Sequence, residues 1–234
     1  MRQNRRQDPL PKLSEKEMTV KKMFDRIAPK YDFLNRLITF RLDVVWRKET
    51  IKQLKPASGS IILDVACGTG DLCRALQKAG AEPIGLDFSR GMLISFNSIA
   101  PLINADALKI PLKNSSLDGA TCGFALRNFV DIKPFLSEVS RVLKPGSQLA
   151  ILEVDQPENK LMRIGHSFYF SKIVPFIGKI FSDKEAYRYL PRSVVYLPSE
   201  NELHKLLKNS GFSEVQKIRL TGGIAQLLIA QKQN

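Results

Sequence analysis

Short apolar runs alternate with stretches of helical periodicity from residue 60 to the C-terminus. In 131–146, apolar residues recur at helical spacing and a Lys-Pro-Gly sequence predicts the helix end. Apolar runs bounded by turn residues are typical of buried strands, and the first five predicted strands are 60–66, 82–88, 101–106, 117–125 and 147–154. Strands that alternate with helices predict an α/β fold with a mostly parallel sheet and helices on both faces.

The last part of the chain predicts a different connection. Ser199 and Glu202 form a capping-box sequence, which predicts a helix over 199–210. Two further strands, predicted at 212–220 and 224–232, are separated by only a few residues. A parallel pair needs a long crossover, so these strands are predicted to be antiparallel neighbours. The predicted sheet has seven strands and ends in an antiparallel hairpin, unlike the all-parallel dinucleotide-binding fold.

Length and composition favour one domain. The 234 residues are 44% hydrophobic, enough for one sizeable core, and we assign this domain to residues 20–234. Residues 1–19 are polar and basic and lack the apolar run of a secretory signal, which predicts a mobile tail. Three cysteines without a CxxC pair predict neither a disulfide framework nor a zinc site, and two distant histidines suggest no other metal site. Cysteines without a disulfide framework favour a reducing, cytoplasmic compartment.

Basic charge and apolar residues are each concentrated in one part of the chain. The net charge is +13, and residues 1–60 carry 15 Lys and Arg against 7 Asp and Glu. Such a surface suits nucleic acid, an anionic membrane or simply solvent. The segment 161–181 is the most apolar and aromatic in the chain, but basic residues and a proline interrupt it, which argues against a membrane-spanning helix. It either covers the core or presents an apolar surface to lipid or to a long apolar ligand.

A glycine loop follows the first predicted strand. In ILDVACGTGD, Gly68 and Gly70 permit a tight turn that brings the backbone close to a ligand at a helix N-terminus. The dinucleotide fingerprint requires a Gly or Ala where Cys73 stands, and the carboxylate of Asp71 would repel a pyrophosphate. The sequence has no GxxxxGK[ST] loop either. The loop therefore favours a nucleoside ligand without phosphates.

Carboxylates at strand ends extend this predicted site. Asp87 ends the second strand, where a carboxylate accepts hydrogen bonds from ribose hydroxyls. Asp106 ends the third strand, where it can accept from an adenine amino group while the Ala107 N–H donates to the ring. S-adenosylmethionine is a nucleoside ligand without phosphates, and its cationic sulfonium is stabilised by acidic surroundings. Asp64 either contacts the amine of its methionyl part or braces its own loop.

The run GFALRN ends the fourth predicted strand with a charged residue. Ligands of doubly wound sheets bind beyond the carboxyl ends of the strands, so Arg127 is expected at the reacting centre. Alternatively, Arg127 pairs with a carboxylate such as Asp131 and fixes the following helix. Asn128 either orients a substrate or caps that helix.

These motifs belong to a wider resemblance that runs from about residue 20 to the C-terminus. FDRIAPKYDFLN, ILDVACGTGD, GFALRN, VLKPG, ILEV, EAYRYL and LTGGIAQL together resemble class I methyltransferases, and specifically the C-methyltransferases of ubiquinone and menaquinone biosynthesis. The resemblance implies a Rossmann-like class I fold and S-adenosylmethionine as cofactor. Cys67 and Ala125 depart from the family pattern, which has glycine at both positions, and the stretch 93–105 is short.

The resemblance also implies roles for individual residues. The implied cofactor contacts are Thr69, Asp87, Asp106, Ala107 and Gly123, beside Gly68 and Gly70 of the loop. The segment 20–58 is implied to be a helical lid that contains Tyr31 and Asn35. The segment 156–198 is implied to be an insertion that covers the acceptor and contains Tyr187 and Arg188. Aromatic residues in these two segments can equally be ordinary packing. The implied catalytic candidates are Arg127, Asn128 and Tyr187.

The implied reaction transfers a methyl group to a ring carbon of demethylmenaquinol, a polyprenylated quinol. A ubiquinone precursor is the alternative acceptor. Arg127 would favour the phenolate that makes the ring carbon nucleophilic, directly or through a bound water. The apolar segment and the basic N-terminus would then contact the membrane peripherally, and a homodimer or a quinone-synthesis complex is a further expected partner.

Two other functions compete with this interpretation. The charge suggests an RNA or DNA methyltransferase, but GFALRN stands where base-methylating enzymes often carry [DN]PP[YF], so no nucleic-acid partner is expected. A non-catalytic cofactor-binding subunit is the other alternative. The intact glycine loop, Asp87 and Arg127 argue against loss of activity.

Overall fold

The computed structural model describes residues 13–169, 173–174, 186, 189 and 192–234. Its helices are α1 (Leu13–Ile27), α2 (Tyr31–Ile38), α3 (Leu42–Leu54), α4 (Asp71–Lys78), α5 (Arg90–Ile94), α6 (Ile132–Val142), α7 (Lys160–Phe168) and α8 (Glu200–Asn209). Its strands are β1 (Ile61–Val65), β2 (Glu82–Asp87), β3 (Leu102–Asn104), β4 (Leu117–Gly123), β5 (Leu143–Val154), β6 (Phe212–Leu220) and β7 (Ala225–Lys232). Short 3₁₀ turns lie at Leu126–Asn128 and Ser193–Tyr196.

The strands form one seven-stranded sheet in the order β3-β2-β1-β4-β5-β7-β6. Strands β1 to β5 run parallel, whereas β7 runs antiparallel to both β5 and β6. The predicted parallel sheet with a closing antiparallel hairpin is confirmed. The strand order reverses between β1 and β4, and a ligand crevice is expected outside the carboxyl ends of the strands at such a switch point.

Helices cover both faces of the sheet, as predicted. On one face, apolar residues of α6 and α8 such as Phe135, Val139 and Leu207 pack against the strands. On the other face, Trp46 of α3 and Leu76 of α4 belong to a second core. Helix α6 forms because its apolar positions recur at helical spacing, and the Asp131 side chain caps it by accepting from the Lys133 N–H.

The N-terminal helices form a third apolar cluster above the carboxyl ends of the strands. Val20 and Ile27 of α1 pack with Leu34 of α2, and the cluster includes the described residues Val174 and Tyr189 from the second half of the chain. The boundary predicted at residue 19 is wrong in one respect, because α1 begins at Leu13 rather than after a mobile tail. Residues 1–12 lie outside the described residues.

Several predicted boundaries shift by a few residues. The fourth strand ends at Gly123 rather than at Ala125, so the LRN sequence forms the 3₁₀ turn just beyond the strand. Strand β5 begins at Leu143, directly after α6, and Lys-Pro-Gly lies inside this strand. Ser199 caps α8 through the predicted capping box. No helix in the described ranges is long and apolar enough to cross a bilayer.

Candidate active site

The carboxyl ends of β1, β2 and β4 enclose a pocket, here called the inner pocket. Five of the predicted cofactor residues line it: Gly68, Asp87, Asp106, Ala107 and Gly123. Helix α1 covers it with Glu17, Val20 and Phe24, and Tyr31 and Asn128 also line it. The sequence therefore identified residues that are far apart in the chain but share one binding pocket.

The glycine loop between β1 and α4 has the backbone that the sequence predicted. Gly70 adopts the left-handed conformation, with φ of 88°. A Cβ atom at Gly70 would lie 2.6 Å from the Phe96 ring, so a larger residue would displace that ring. The loop is therefore held in a conformation that favours glycine, at the N-terminus of α4.

Asp87 is a buried carboxylate at the end of β2. Its Oδ2 accepts from the Gly68 N–H at 2.8 Å, and its Oδ1 accepts from the Ser89 N–H at 2.8 Å. Burial raises the pKa of Asp87 to about 6, so the group is mainly ionised at neutral pH. The two amide bonds fix an anionic acceptor at the wall of the inner pocket, where ribose hydroxyls can donate to it.

Asp106 and Ala107 lie on the loop after β3. The Asp106 Oδ1 accepts from the Leu108 N–H at 2.9 Å, which turns the backbone and places Ala107 in the pocket wall. Gly123 closes the pocket at the end of β4, where a Cβ atom would lie 2.8 Å from Leu72 Cδ1. Asp106 and the Ala107 N–H can contact a base by hydrogen bonds, and Gly123 allows Leu72 of α4 to pack closely against the end of β4.

Thr69 and Gly70 are not among the described residues that line the inner pocket. The Thr69 hydroxyl instead donates to Asp32 of α2, which ties the glycine loop to the N-terminal helices. Thr69 therefore holds the loop in the present conformation, and its predicted cofactor contact stays a prediction.

Asp71 does not present a free negative charge to the inner pocket. Both of its oxygens accept from Arg36 at 2.7 Å, Arg47 lies 3.4 Å away, and Arg74 also pairs with it. Arg36 and Arg47 also pair with the buried Asp43 of α3. These arginines lower the pKa of Asp71 despite its burial. The network joins α2 and α3 to the start of α4, so Asp71 is structural.

Asp64 turns away from the inner pocket. Its Oδ1 accepts from the Thr121 hydroxyl at 2.8 Å, and its Oδ2 accepts from Cys73 Sγ at 3.4 Å. Complete burial raises the pKa of Asp64 to about 7. Its partners are Thr121 of β4 and Cys73 of α4, so Asp64 joins β1 to these two elements and does not brace its own loop as the sequence suggested.

A second cavity, here called the outer cavity, lies beside the inner pocket and has a volume of about 880 Å³. Asn35 and Arg127 line it, together with residues of α3 and α7. Tyr31 and Phe124 line both the inner pocket and the outer cavity. These two rings therefore stand where a ligand in one cavity would meet a ligand in the other.

Phe124 was not singled out from the sequence, yet its backbone is unusual. Its φ is 59°, a left-handed conformation that is rare for an aromatic residue. Its carbonyl accepts from Arg127 Nη1 at 2.8 Å and from Asn128 Nδ2 at 3.5 Å. Strained backbone of this kind persists where its surroundings hold it and is common at functional sites.

Arg127 is buried, and its partner is Glu153 of β5 rather than Asp131. Nη1 pairs with Glu153 Oε1, Nε donates to the Ser193 hydroxyl at 3.1 Å, and the Arg127 N–H donates to Glu153 Oε2 at 3.2 Å. Within the described residues, no hydrogen-bond acceptor contacts Nη2. Arg127 therefore combines a structural ion pair with a place in the lining of the outer cavity.

Asn128 does not cap the next helix, because Asp131 does so itself. The Asn128 Oδ1 accepts from the Tyr189 hydroxyl at 3.1 Å, which positions the amide beside the inner pocket. Burial raises the pKa of Tyr189, so this hydroxyl stays protonated as a donor. Tyr187 and Arg188 lie outside the described residues, and their roles stay predictions.

Tyr31 and Asn35 lie one helical turn apart on α2. Burial raises the pKa of the Tyr31 hydroxyl, although a hydrogen bond with Asn35 and the charges of Arg47 and Arg127 oppose the rise. Tyr31 is therefore a neutral hydroxyl at physiological pH, in contact with both cavities.

Lys16 fastens α1 to the rest of the site. Its ammonium donates to the Phe129 carbonyl at 2.7 Å and lies 3.9 Å from the centre of the Tyr196 ring. Burial lowers its pKa to about 8. Because Phe129 lines the inner pocket, Lys16 links the helix above that pocket to its wall. This role could not be recognised from the sequence, since Lys16 is one of many N-terminal lysines.

Comparison with known proteins agrees with this geometry. The model of the ubiE/COQ5 methyltransferase family matches residues 12–232. The chain belongs to this family. One relative is the ubiquinone/menaquinone biosynthesis C-methyltransferase UbiE of Geotalea uraniireducens, with 40% identity over 94% of this chain and 99% of the relative. Another is the demethylmenaquinone methyltransferase of Staphylococcus carnosus, with 39% identity over 94% of this chain and 95% of the relative.

Solved structures show the same fold. A possible histamine N-methyltransferase from Thermotoga maritima, described as dependent on S-adenosylmethionine, has a TM-score of 0.65 and 21% identity, and the match covers 91% of this chain and 99% of that one. This likeness supports the class I methyltransferase fold.

The polar residues of the inner pocket suit S-adenosylmethionine, the methyl donor of this methyltransferase, and the pocket has to widen from its volume of about 80 Å³ to hold it. Asp87 provides a fixed acceptor for the ribose hydroxyls, and Asp106 with the Ala107 N–H provides an acceptor and a donor for the adenine. Gly68 and Gly123 also line the pocket, and the space beside a Cβ atom at Gly68 is open. Tyr31 and Phe124 then mark where the donated methyl group would meet an acceptor.

Proposed function

We propose that this methyltransferase transfers a methyl group from S-adenosylmethionine to a ring carbon of demethylmenaquinol. The observation that carries the proposal is the outer cavity, which shares Tyr31 and Phe124 with the inner pocket and is lined by Arg127. Its volume of about 880 Å³ lies in the range of small-molecule sites. The names of relatives also support the proposal, since they include demethylmenaquinone methyltransferases.

The lining of the outer cavity suits an aromatic head group with an apolar tail. Phe40, Leu42, Trp46, Val194 and Ile224 supply apolar and aromatic surface. The buried carboxylate of Asp43 is neutralised by Arg36 and Arg47. Arg127 and Asp155 of the lining pair with Glu153 and Lys217, so most charges near the apolar wall are compensated, and Arg163 adds a positive charge to the lining. An uncharged quinol with a prenyl chain is favoured over a highly charged substrate such as RNA.

The chemistry requires a nucleophilic ring carbon. Bound S-adenosylmethionine supplies an electrophilic methyl group on a sulfonium. The ring carbon becomes nucleophilic once a quinol hydroxyl loses its proton to water. As the new carbon–carbon bond forms, the carbon–sulfur bond breaks. The ring carbon then releases its hydrogen as a proton to solvent, and the quinol oxygen takes a proton back from solvent. The products are menaquinol and S-adenosylhomocysteine, and no oxidant is needed.

Arg127 acts on this reaction by electrostatics. A guanidinium offers hydrogen-bond donors and no acceptor, so Arg127 serves as an electrostatic group and not as a base. The Nη2 group, which lacks an acceptor among the described residues, donates to the quinol oxygen and stabilises the phenolate. Glu153 and the Phe124 carbonyl hold the guanidinium in place beforehand. Most of the remaining rate enhancement comes from positioning the ring carbon against the methyl group.

The acceptor is tested by comparing two reduced quinols. Purified protein with radiolabelled S-adenosylmethionine is expected to methylate a short-chain demethylmenaquinol faster than a benzoquinol precursor of ubiquinone, because the outer cavity is broad and aromatic. A structured RNA serves as the third substrate and is expected to stay unlabelled. Faster labelling of the benzoquinol would assign the alternative acceptor, and labelling of RNA alone would overturn the proposal.

A further inference from the structure

Helix α7 exposes large apolar residues on the side that faces away from the outer cavity. Six residues of α7 and its end line the outer cavity: Met162, Arg163, Gly165, His166, Ser167 and Tyr169. On the opposite side, Leu161 is 81% exposed, Ile164 is 68% exposed and Phe168 is 60% exposed. None of these three lines the cavity. A helix on an ordinary soluble surface turns such residues inward, so this apolar stripe requires an explanation.

A neighbouring aromatic residue extends the stripe. Phe40 is 73% exposed, and its ring centre lies 5.7 Å from that of Tyr169 at the end of α7. The Tyr169 hydroxyl donates to the Ile38 carbonyl at 2.9 Å, which joins α7 to the end of α2. Phe40 and Arg41 both adopt left-handed backbone conformations, with φ of 50° and 63°. The chain therefore holds Phe40 outward at a strained turn.

The charges around this stripe are basic. Lys160 and Arg163 of α7 and Arg41 beside Phe40 are all exposed. The nearby acidic residues are already paired, because Glu158 bonds Arg219 at 2.6 Å and Asp155 bonds Lys217 at 2.9 Å. An apolar stripe flanked by basic side chains is complementary to a bilayer that contains anionic lipid.

We propose that Phe40, Leu161, Ile164 and Phe168, here called the docking face, insert into the interface of an anionic membrane. This inference rests on the proposed function, which supplies an acceptor whose prenyl tail lies in that membrane. Phe40 and α7 also line the outer cavity, so docking opens that cavity at the lipid surface. The acceptor head group then enters the cavity while its tail remains in the bilayer.

The dimensions of the docking face favour a membrane over a second copy of the chain. Helix α7 has 9 residues and is about 13 Å long. A stable protein interface buries about 800 Å² on each partner, far more than the four side chains of the docking face supply. Reversible membrane binding needs only a few inserted apolar side chains and flanking basic charge.

The test compares two pairs of exposed apolar residues in the full-length protein. The variant carrying Leu161→Ser and Ile164→Ser removes half of the docking face. The control carries Ile94→Ser and Ile99→Ser, two residues that are 77% and 93% exposed near the β3 edge of the sheet. Flotation with vesicles of phosphatidylcholine, with or without phosphatidylglycerol, measures the bound fraction. Turnover is measured with a short-chain quinol in solution and with a long-chain quinol in the same vesicles.

Wild type and control are expected to float with the phosphatidylglycerol vesicles and to dissociate at high salt. The Leu161→Ser/Ile164→Ser variant should bind at least about tenfold more weakly and lose turnover with the vesicle-bound quinol, while keeping turnover with the soluble quinol. Equal binding of variant and wild type would overturn the docking face. A changed oligomeric state of the variant, with no vesicle binding by wild type, would assign the face to a second copy.

These results separate the two proposals. Turnover of the soluble quinol without vesicle binding would contradict the docking face and leave the proposed reaction intact. Vesicle binding without turnover of either quinol would contradict the proposed reaction and leave the docking face intact.

Discussion

Replacing Asp87 with asparagine is expected to raise the dissociation constant for S-adenosylmethionine about 10- to 100-fold, because a hydrogen bond to a charged acceptor contributes about 1.5–3 kcal/mol. Both Asp87 oxygens are fixed by backbone N–H groups, so the carboxylate is already oriented for the ribose. Asparagine keeps the shape of the side chain and removes its charge. Isothermal titration with the cofactor gives the change directly, and circular dichroism confirms that the variant is folded.

The same substitution predicts a change in pH dependence. Burial raises the pKa of Asp87 to about 6, and the ionised form accepts better from ribose hydroxyls. Cofactor affinity of the wild-type protein should therefore fall as the pH drops through about 6. Asparagine does not titrate, so the affinity of Asp87→Asn should stay nearly constant over this range. A parallel loss of affinity in both proteins would assign the pH dependence to another group and contradict this role of Asp87.

Replacing Arg127 with methionine is expected to abolish turnover and to destabilise the fold. Glu153 is fully buried, and removing its partner leaves an unpaired buried charge, which lowers the free energy of unfolding by about 3–5 kcal/mol. Loss of activity in this variant alone would therefore not separate catalysis from folding. Thermal unfolding measures the first effect and a methylation assay the second.

A double variant makes the separation. Arg127→Met with Glu153→Gln removes both charges, and glutamine keeps an acceptor oxygen for the Val154 N–H that Glu153 bonds at 2.8 Å. This variant should recover most of the lost stability and bind S-adenosylmethionine. Its kcat should still fall about 100- to 1000-fold, because the donor that stabilises the phenolate is gone. A stable double variant with wild-type kcat would make Arg127 purely structural.

The positions of Asp87 and Arg127 were predictable because parallel strands place their carboxyl ends at one edge of the sheet. Asp87 and the 3₁₀ turn with Arg127 both directly follow strands that are recognisable by their apolar runs. The positions of these strands along the chain were sufficient for the prediction, since each residue needed only to follow its own strand.

The partner of Arg127 was harder to predict, because sequence distance does not report which strands are neighbours. Asp131 is close in the chain, whereas Glu153 comes from β5, which pairs with β4. A glutamate inside the apolar sequence ILEV was the available signal, because a carboxylate in a buried strand needs a partner.

The N-terminal boundary failed for a related reason. Composition alone made residues 1–19 resemble a polar tail, but Lys16 is buried against Phe129 and Tyr196, which lie far away in the chain. Tertiary contacts of this kind override local composition. The backbone of Phe124 was equally unpredictable, because its left-handed conformation depends on side chains of Arg127 and Asn128 that fold back on it.

The most direct test of the account is to identify the atom that receives the methyl group. The protein is incubated anaerobically with S-adenosylmethionine carrying a deuterated methyl group and with chemically reduced short-chain demethylmenaquinol, and the product is examined by mass spectrometry and NMR. We expect one deuterated methyl group on the quinol ring carbon and an equal amount of S-adenosylhomocysteine. A deuterated methyl group on a quinol oxygen, or no transfer although the cofactor binds and the acceptor stays reduced, would contradict it.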